Sequence, residues 1–149
     1  MIGNCLKGKP LPIYGDGKQI RDWLYVRDHA IALIEILAKG KIGETYNIGG
    51  NNEKRNIDVV VEICSKLDKL VSCKPNGIES FHNLIKYVAD RPGHDCRYAI
   101  DSSKLQGEVG WSPEETFETG IDKTIRWYLD NQYWVASVSN QFLEVPLEA

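Results

Sequence analysis

Short runs of β-forming residues alternate along this chain with longer stretches whose apolar positions recur every three or four residues. That switching predicts strands interleaved with helices, an α/β architecture. Leu11–Tyr14 reads as a short strand closed by Gly15-Asp16-Gly17, a hairpin-like turn signal. Residues 19–25 (QIRDWLY) read as a second strand. Over 28–39, Ala30, Leu33, Ile34 and Leu37 fall at helical spacing, and Gly40 follows as a C-cap. Residues 44–48 (ETYNI) predict a third strand, with Gly49-Gly50 and Asn51-Asn52 as the loop after it.

Asn56 then reads as the N-cap of a helix over 57–70, with Val60, Ile63, Cys64 and Leu67 on one face. Residues 72–83 form a loop of mixed composition. Tyr87-Val88 and Tyr98-Ala99-Ile100 predict short strands on either side of a turn at 90–97. Asp101 or Ser102 caps a short helix ending near Gly107. Ser112-Pro113-Glu114-Glu115 opens the last long helix, with a cap, a proline at N1 and acidic residues at the positive end of the dipole. Its buried stripe is Phe117, Ile121, Ile125, Tyr128 and Leu129. Trp23, Trp111, Trp127 and Trp134 read as core or helix-packing residues. The tail, 136–149, is weakly patterned.

The turn at 90–97 carries the densest chemistry. Arg91, His94 and Arg97 surround Pro92-Gly93. Pro92 fixes φ and lacks an N–H, whereas Gly93 can take positive φ and let a ligand approach the backbone. A rigid turn bearing a guanidinium and an imidazole suits a phosphate or another anion. A surface turn whose basic residues are merely solvated fits the same spacing.

Composition narrows the partners. With 149 residues, 42% hydrophobic and 26% charged, the chain has the make-up of one soluble domain. A net charge of −3 leaves no basic stripe for nucleic acid, so any anion site must be a local cluster. No run of about 18 apolar residues points to a membrane span, and the N-terminus lacks a signal-peptide core. Cys5, Cys64, Cys73 and Cys96 form no C-x-x-C pair, and His29, His82 and His94 show no metal spacing. Reduced thiols and a cytoplasmic location follow, with no metal site expected.

Redox machinery is sparse. No G-x-G-x-x-G follows a strand. Tyr14 and Lys18 have the Tyr-x-x-x-Lys spacing, but Gly15 and Gly17 between them argue against the helical face such a pair needs, so the match reads as coincidence.

Four blocks carry a resemblance: PLPIYGDGKQIRDWLYVRDHA (10–30), GETYNIGGNNEKRNIDVV (43–60), YVADRPGHDCRYAID (87–101) and GWSPEETFETGIDKTIRWYLDN (110–131). Together they resemble the C-terminal half of the dTDP-glucose 4,6-dehydratases, in the extended short-chain dehydrogenase/reductase superfamily. The first, second and fourth blocks are shared more loosely with nucleotide-sugar epimerases, decarboxylases and GDP-mannose dehydratases. The RPGHD-x-RYAID turn is the specific one. Residues 1–135 are therefore expected to be a nucleotide-sugar-binding portion, without the NAD(P)-binding Rossmann core.

In that family NAD⁺ takes a hydride from C4 of the glucose ring, water leaves across C5 and C6, and the hydride returns to C6. The cofactor loop, the Tyr-Lys pair and the eliminating acids lie in the N-terminal half. The resemblance therefore implies no catalytic or cofactor-binding residue here, a chain inactive alone, and no tight NAD binding by this chain. It assigns a dTDP-sugar to Pro12, Ile13, Tyr14, Arg21, Asn56, Asp90, Arg91, Pro92, Gly93 and His94. Pro12, Ile13 and Tyr14 match the segment lining the nucleotide, Arg21 the diphosphate arginine, and Asn56 a substrate contact at a helix N-terminus. Asp90 to His94 match the phosphate-binding turn. Each has a plainer reading: a buried strand start, a strand charge paired with Asp22, a helix cap, a solvated turn.

Two other functions stay open: a non-catalytic nucleotide-sugar-binding or scaffold module, and part of a related epimerase or decarboxylase. The chain starts with Met1 where the resemblance expects more than half of a relative to precede it. The helix near 28–39 and the strand near 44–48 are then expected to expose an apolar patch and to drive self-association.

Overall fold

The computed structural model describes residues 1–141. A short helix, α1 (Ile2–Leu6), precedes β1 (Leu11–Tyr14) and β2 (Ile20–Asp22). Helix α2 (Val26–Lys39) follows, then β3 (Glu53–Arg55), which runs directly into α3 (Asn56–Leu70). Two 3-10 turns, Pro75–Gly77 and Phe81–Leu84, lead to β4 (Ile85–Val88). Helices α4 (Ser103–Val109), α5 (Phe117–Asp130) and α6 (Gln132–Gln141) complete the order.

Two small sheets result. β1 pairs in parallel with β4, Leu11 opposite Ile85 and Tyr14 opposite Val88. β2 pairs antiparallel with β3, Ile20 opposite Arg55. Alternation along β1 buries Leu11 and Ile13 and leaves Tyr14 exposed, as a strand with one face on a core requires. Behind β1 and β4, α3 presents Val59, Val60, Ile63, Cys64 and Leu67 to a core shared with Ile2, Cys5, Phe81, Leu84 and Ile125. Phe117, Ile121, Tyr128 and Leu129 of α5 pack against its edge, the stripe read from the sequence. A second, smaller core gathers Ala32, Leu105, Val109 and Trp111. The four cysteines are free, and contact with Cys5, reinforced by burial, pushes the Cys64 thiol well up.

Several elements differ from the sequence expectation. The second strand is three residues long, because its partner β3 offers three residues to pair with. Residues 44–48 form no strand: no described residue ladders with them, and a strand is defined by its partner. They are held by side chains instead, Tyr46 donating to Glu108 and packing under Lys104. The runs 87–88 and 98–100 do not pair across the turn. Tyr87-Val88 joins β1, while the second run forms no ladder and the residue before it, Arg97, makes one parallel bridge with Ile20.

Caps moved as well. Asn56 is the first residue of α3, with Arg55 at the cap position and no side-chain cap bond. Its N–H and that of Ile57 go to the carbonyls of Gln19 and Gly17. The last long helix starts at Phe117, capped by Thr116 with Thr119 in a reciprocal capping box. Residues 112–115 stay outside it, and the Glu115 N–H is held by the buried Asp28 carboxylate at 3.0 Å. Helix α4 continues past Gly107 to a left-handed Gly110, whereas Gly40 ends α2 in an extended conformation. Of the tryptophans, Trp111 is buried; Trp23, Trp127 and Trp134 are substantially exposed. Helix α6 extends through the first part of the weakly patterned tail, and 142–149 lie outside the described residues.

On α2 the apolar stripe read from the sequence points outward. Val26, Ala30, Leu33, Ile34 and Leu37 are exposed, and Ile31, Ala32 and Ile36 face the second core instead. Among the described residues no helix is long and apolar enough to cross a membrane.

Candidate functional site

Parallel pairing places the C-terminal ends of β1 and β4 side by side, the end of a parallel strand pair where ligands gather in open α/β sheets. Two loops leave from there: Gly15 to Gln19 after β1, and the turn around Asp90 to His94 after β4. They are joined at once, since the Gly15 N–H donates to the Val88 carbonyl at 3.0 Å. Gly15 has φ +57°, and a Cβ on it would stand 2.7 Å from Asp90 Oδ2, so a side chain is excluded by both backbone and space. Gly93 takes φ +67° with open space around it, as the turn reading required.

Asp90 is the hub. Its Oδ1 accepts from the Arg91 N–H at 2.9 Å and from His94 Nδ1 at 2.6 Å; its Oδ2 accepts from Gln19 Nε2 at 3.0 Å. The bond from His94, with the smaller help of Arg91 N–H and Gln19, holds the Asp90 carboxyl below the usual carboxylate range. Tyr14 meets His94 edge-on, ring centroids 6.4 Å apart.

A second group lies along 95–98, bound to β2. Ile20 N donates to the Cys96 carbonyl and Tyr98 N to the Ile20 carbonyl. Arg21 stacks over the Tyr98 ring with Cζ 4.6 Å from the centroid, while its Nη1 donates to the Ile20 carbonyl. The Tyr98 hydroxyl donates to Asp95, which pushes that phenol up; Arg21 and Arg91 both pull it the other way. Neither guanidinium pairs with a carboxylate among the described residues. Arg97 differs: it makes a two-point bond to Glu53 at 2.7 and 2.9 Å, which raises the guanidinium and lowers the carboxyl.

Of the residues read from the sequence, Tyr14 stands at the end of β1, Arg21 on β2, and Asp90, Arg91, Pro92, Gly93 and His94 on the turn after β4. Ile13 does not offer its side chain, which is 3% exposed and packs the core. Pro12 is half-buried beside it. Asn56 lies across from Gln19, but the first N–H groups of α3 are spent on Gly17 and Gln19 rather than free for an anion. Lys18 pairs with Asp16 across the turn, away from a helical register with Tyr14. Gln19 and Tyr98 were not read as site residues in the sequence, and Asp22, read there as a pairing partner for Arg21, does not pair with it. Asp22 accepts from the N–H groups of Gly50 and Asn52 at 2.7 and 2.8 Å and so fixes the glycine loop beside Arg21.

An open depression of about 480 Å³ begins one residue beyond Tyr98, lined by His29, Tyr46, Asn47, Ile48, Ala99, Ile100 and Asp101. It excludes the arginines. Gly15-Asp16-Gly17 opens onto β2, not onto a helix whose N-terminus could hold a pyrophosphate. No group of three or more His, Cys, Asp or Glu among them could hold a metal ion.

Comparison with known proteins places the chain in a family. A curated dTDP-glucose 4,6-dehydratase of Escherichia coli is 64% identical over 134 residues, covering 90% of this chain and 37% of the relative. One from Neisseria meningitidis is 57% identical over 94% of this chain and 39% of its own length. Among solved structures, the dTDP-glucose 4,6-dehydratase of Bacillus anthracis in complex with NAD superposes with a TM-score of 0.74 at 47% identity, covering 89% of this chain and 39% of that one. DesIV of Streptomyces venezuelae, also a dTDP-glucose 4,6-dehydratase, gives 0.75 at 37% identity, covering 89% of this chain and 38% of that one. The chain thus spans under two-fifths of the length of these relatives. The family model described as GDP-mannose 4,6 dehydratase matches residues 1–124, and the chain belongs to that family.

Proposed function

We propose that this chain is the sugar-nucleotide-holding part of a dTDP-glucose 4,6-dehydratase, binding dTDP-glucose without carrying out the dehydration alone. The observation that carries this is two cations without carboxylate partners among the described residues, Arg21 stacked on Tyr98 at β2 and Arg91 on the turn beside Asp90. A sugar-linked pyrophosphate bears about two negative charges, and guanidiniums present planar donor forks to its oxygens. Tyr14 offers an exposed ring to a base. Pro92 and Gly93 shape the turn, Pro12 lies in the β1–β4 ladder that leads to it, and Asn56 holds the Gln19 carbonyl. Ile13 contributes by packing β1.

Catalysis belongs to residues outside this set: acid–base groups and a bound NAD that supplies hydride transfer in the whole enzyme. This chain alone binds NAD weakly at most, and its place is the cytoplasm. The outward apolar face of α2 makes it self-associate. Calorimetric titration with dTDP-glucose tests the reading. Binding lost on Arg91→Ala supports it; absence of binding by the intact chain, or 4-keto sugar formed by this chain with added NAD⁺, defeats it.

A further inference from the structure

A carboxylate within an anion site is a liability unless it faces the protein, and Asp90 does. Both its oxygens are taken by protein donors, His94 Nδ1 at 2.6 Å, Arg91 N–H at 2.9 Å and Gln19 Nε2 at 3.0 Å. An ionised carboxylate only accepts, so each facing nitrogen carries hydrogen. This fixes the Gln19 amide and puts the His94 proton on Nδ1. The His94 side chain is 6% exposed, held between Asp90 and the edge-on Tyr14 ring. Its Nε2 has no hydrogen-bond partner among the described residues, yet is not one of the sealed unpartnered atoms, unlike the neighbouring Gln19 Oε1. In the neutral ring that nitrogen is a bare lone pair, and a phosphate oxygen would be repelled by it.

We infer that Asp90 is a positioning residue for His94 rather than a ligand contact, and that binding a sugar-linked pyrophosphate draws one proton from solvent onto His94 Nε2. This rests on the preceding reading of the site. Balance is simple: the Nε2 lone pair takes the proton, the new N–H donates to a phosphate oxygen, and Asp90 stays ionised behind the ring to offset the imidazolium charge. The ionisable groups that face the imidazole are Asp90 on the turn and Tyr14 on β1; Asp16 and Lys18 in the adjoining loop neutralise each other. Arg91 follows Asp90 and adds a second cation to the same turn.

The probe is dTDP-glucose, whose phosphates are both diesters and stay ionised between about pH 5.5 and 8.5, so a proton taken up lands on the protein. Calorimetry in buffers of different ionisation heat should show uptake approaching one proton, with affinity rising about tenfold for each unit of falling pH over which that uptake holds. His94→Gln should bind with a flat pH profile and no uptake. Asp90→Asn keeps an acceptor for Nδ1 but loses the charge, so uptake should fall and the affinity curve move to lower pH. A merely structural Asp90 would lower affinity equally at every pH. Binding by the intact chain without proton uptake overturns the inference and spares the sugar-nucleotide reading; no binding at any pH overturns both. Independently of ligand, a long-range ¹H–¹⁵N spectrum should show the Nδ1–H tautomer of His94 in the free chain, and an Nε2–H tautomer would refute the assignment.

Discussion

Arg21 lies over the ring of Tyr98, its guanidinium carbon 4.6 Å from the ring centroid. The ring presents its face to the cation and leaves the guanidinium edge for another acceptor, a contact worth about 0.5–1 kcal/mol at an exposed site. Replacing Tyr98 by Ala should weaken dTDP-glucose binding about two- to fivefold. Tyr98→Phe, which keeps the ring and drops the Asp95 bond, should bind within about twofold of the parent. Arg21→Ala and Arg91→Ala each remove a charged donor and should cost about 10- to 100-fold. Calorimetric titration of the four variants checks the order; an Arg91→Ala chain that binds like the parent refutes it.

Gly15 and Gly93 share the left-handed backbone but not the same surroundings. At Gly93 a Cβ meets nothing within 4 Å, at Gly15 it meets Asp90 Oδ2 at 2.7 Å. Gly93→Ala should therefore cost about 1 kcal/mol of folding stability, the backbone penalty alone. Gly15→Ala adds a clash that pushes Asp90 off His94, and should cost about 2–3 kcal/mol and ligand affinity as well. Chemical denaturation of both variants decides it, and equal losses would refute the docking of the two loops.

Acid should find Asp68 as a weak point. Burial raises that carboxyl, but the Ser80 hydroxyl, the Phe81 N–H and Lys74 outweigh it and leave it below the usual range. A carboxyl held ionised more firmly in the fold stabilises it at neutral pH. That contribution goes as pH falls below about 4, through the folded value. Asp68→Asn should lower stability at pH 7 by about 1–3 kcal/mol and flatten its fall between about pH 4 and 2. Thermal melts across that range measure it; unchanged melts would refute the assignment.

Helix α2 shows Val26, Leu33, Ile34 and Leu37 to solvent at 72, 48, 64 and 87% exposure. Light scattering should find the parent chain heavier than its 16.9 kDa monomer. Ile34→Glu with Leu37→Glu should restore the monomer at little cost to folding, because these side chains leave no core. A monodisperse parent monomer would end this expectation.

Helices were legible in the sequence wherever an apolar stripe met a core inside this chain. The positions Val60, Ile63, Cys64 and Leu67 are buried as their spacing indicated. The same reasoning on α2 identified the stripe correctly but not the side it faces, because periodicity reports that a face is apolar and not what covers it. Strands fared worse. Residues 44–48 have β-forming composition and no partner, and a short run such as 20–22 takes its length from β3, which no local pattern reveals. Of the site, the turn around Arg91 and His94 was legible from Pro92-Gly93 and its basic residues. Gln19 and Tyr98 were not, since their roles come from pairing across 71 residues in one case and from β2 in the other.

The parallel ladder between β1 and β4 has a consequence for how the chain comes to order. Leu11 waits for Ile85, and Gln19 waits for Asp90, so β1 must stay unpaired until α2, β3 and α3 between them have been synthesised. Closing so long a loop is slow and comes late on the route to the native state. The bond between Gln19 and Asp90 then marks completed pairing: a chain stalled before Asp90 leaves the ribosome has α2 and α3 but no turn docked against the loop after β1.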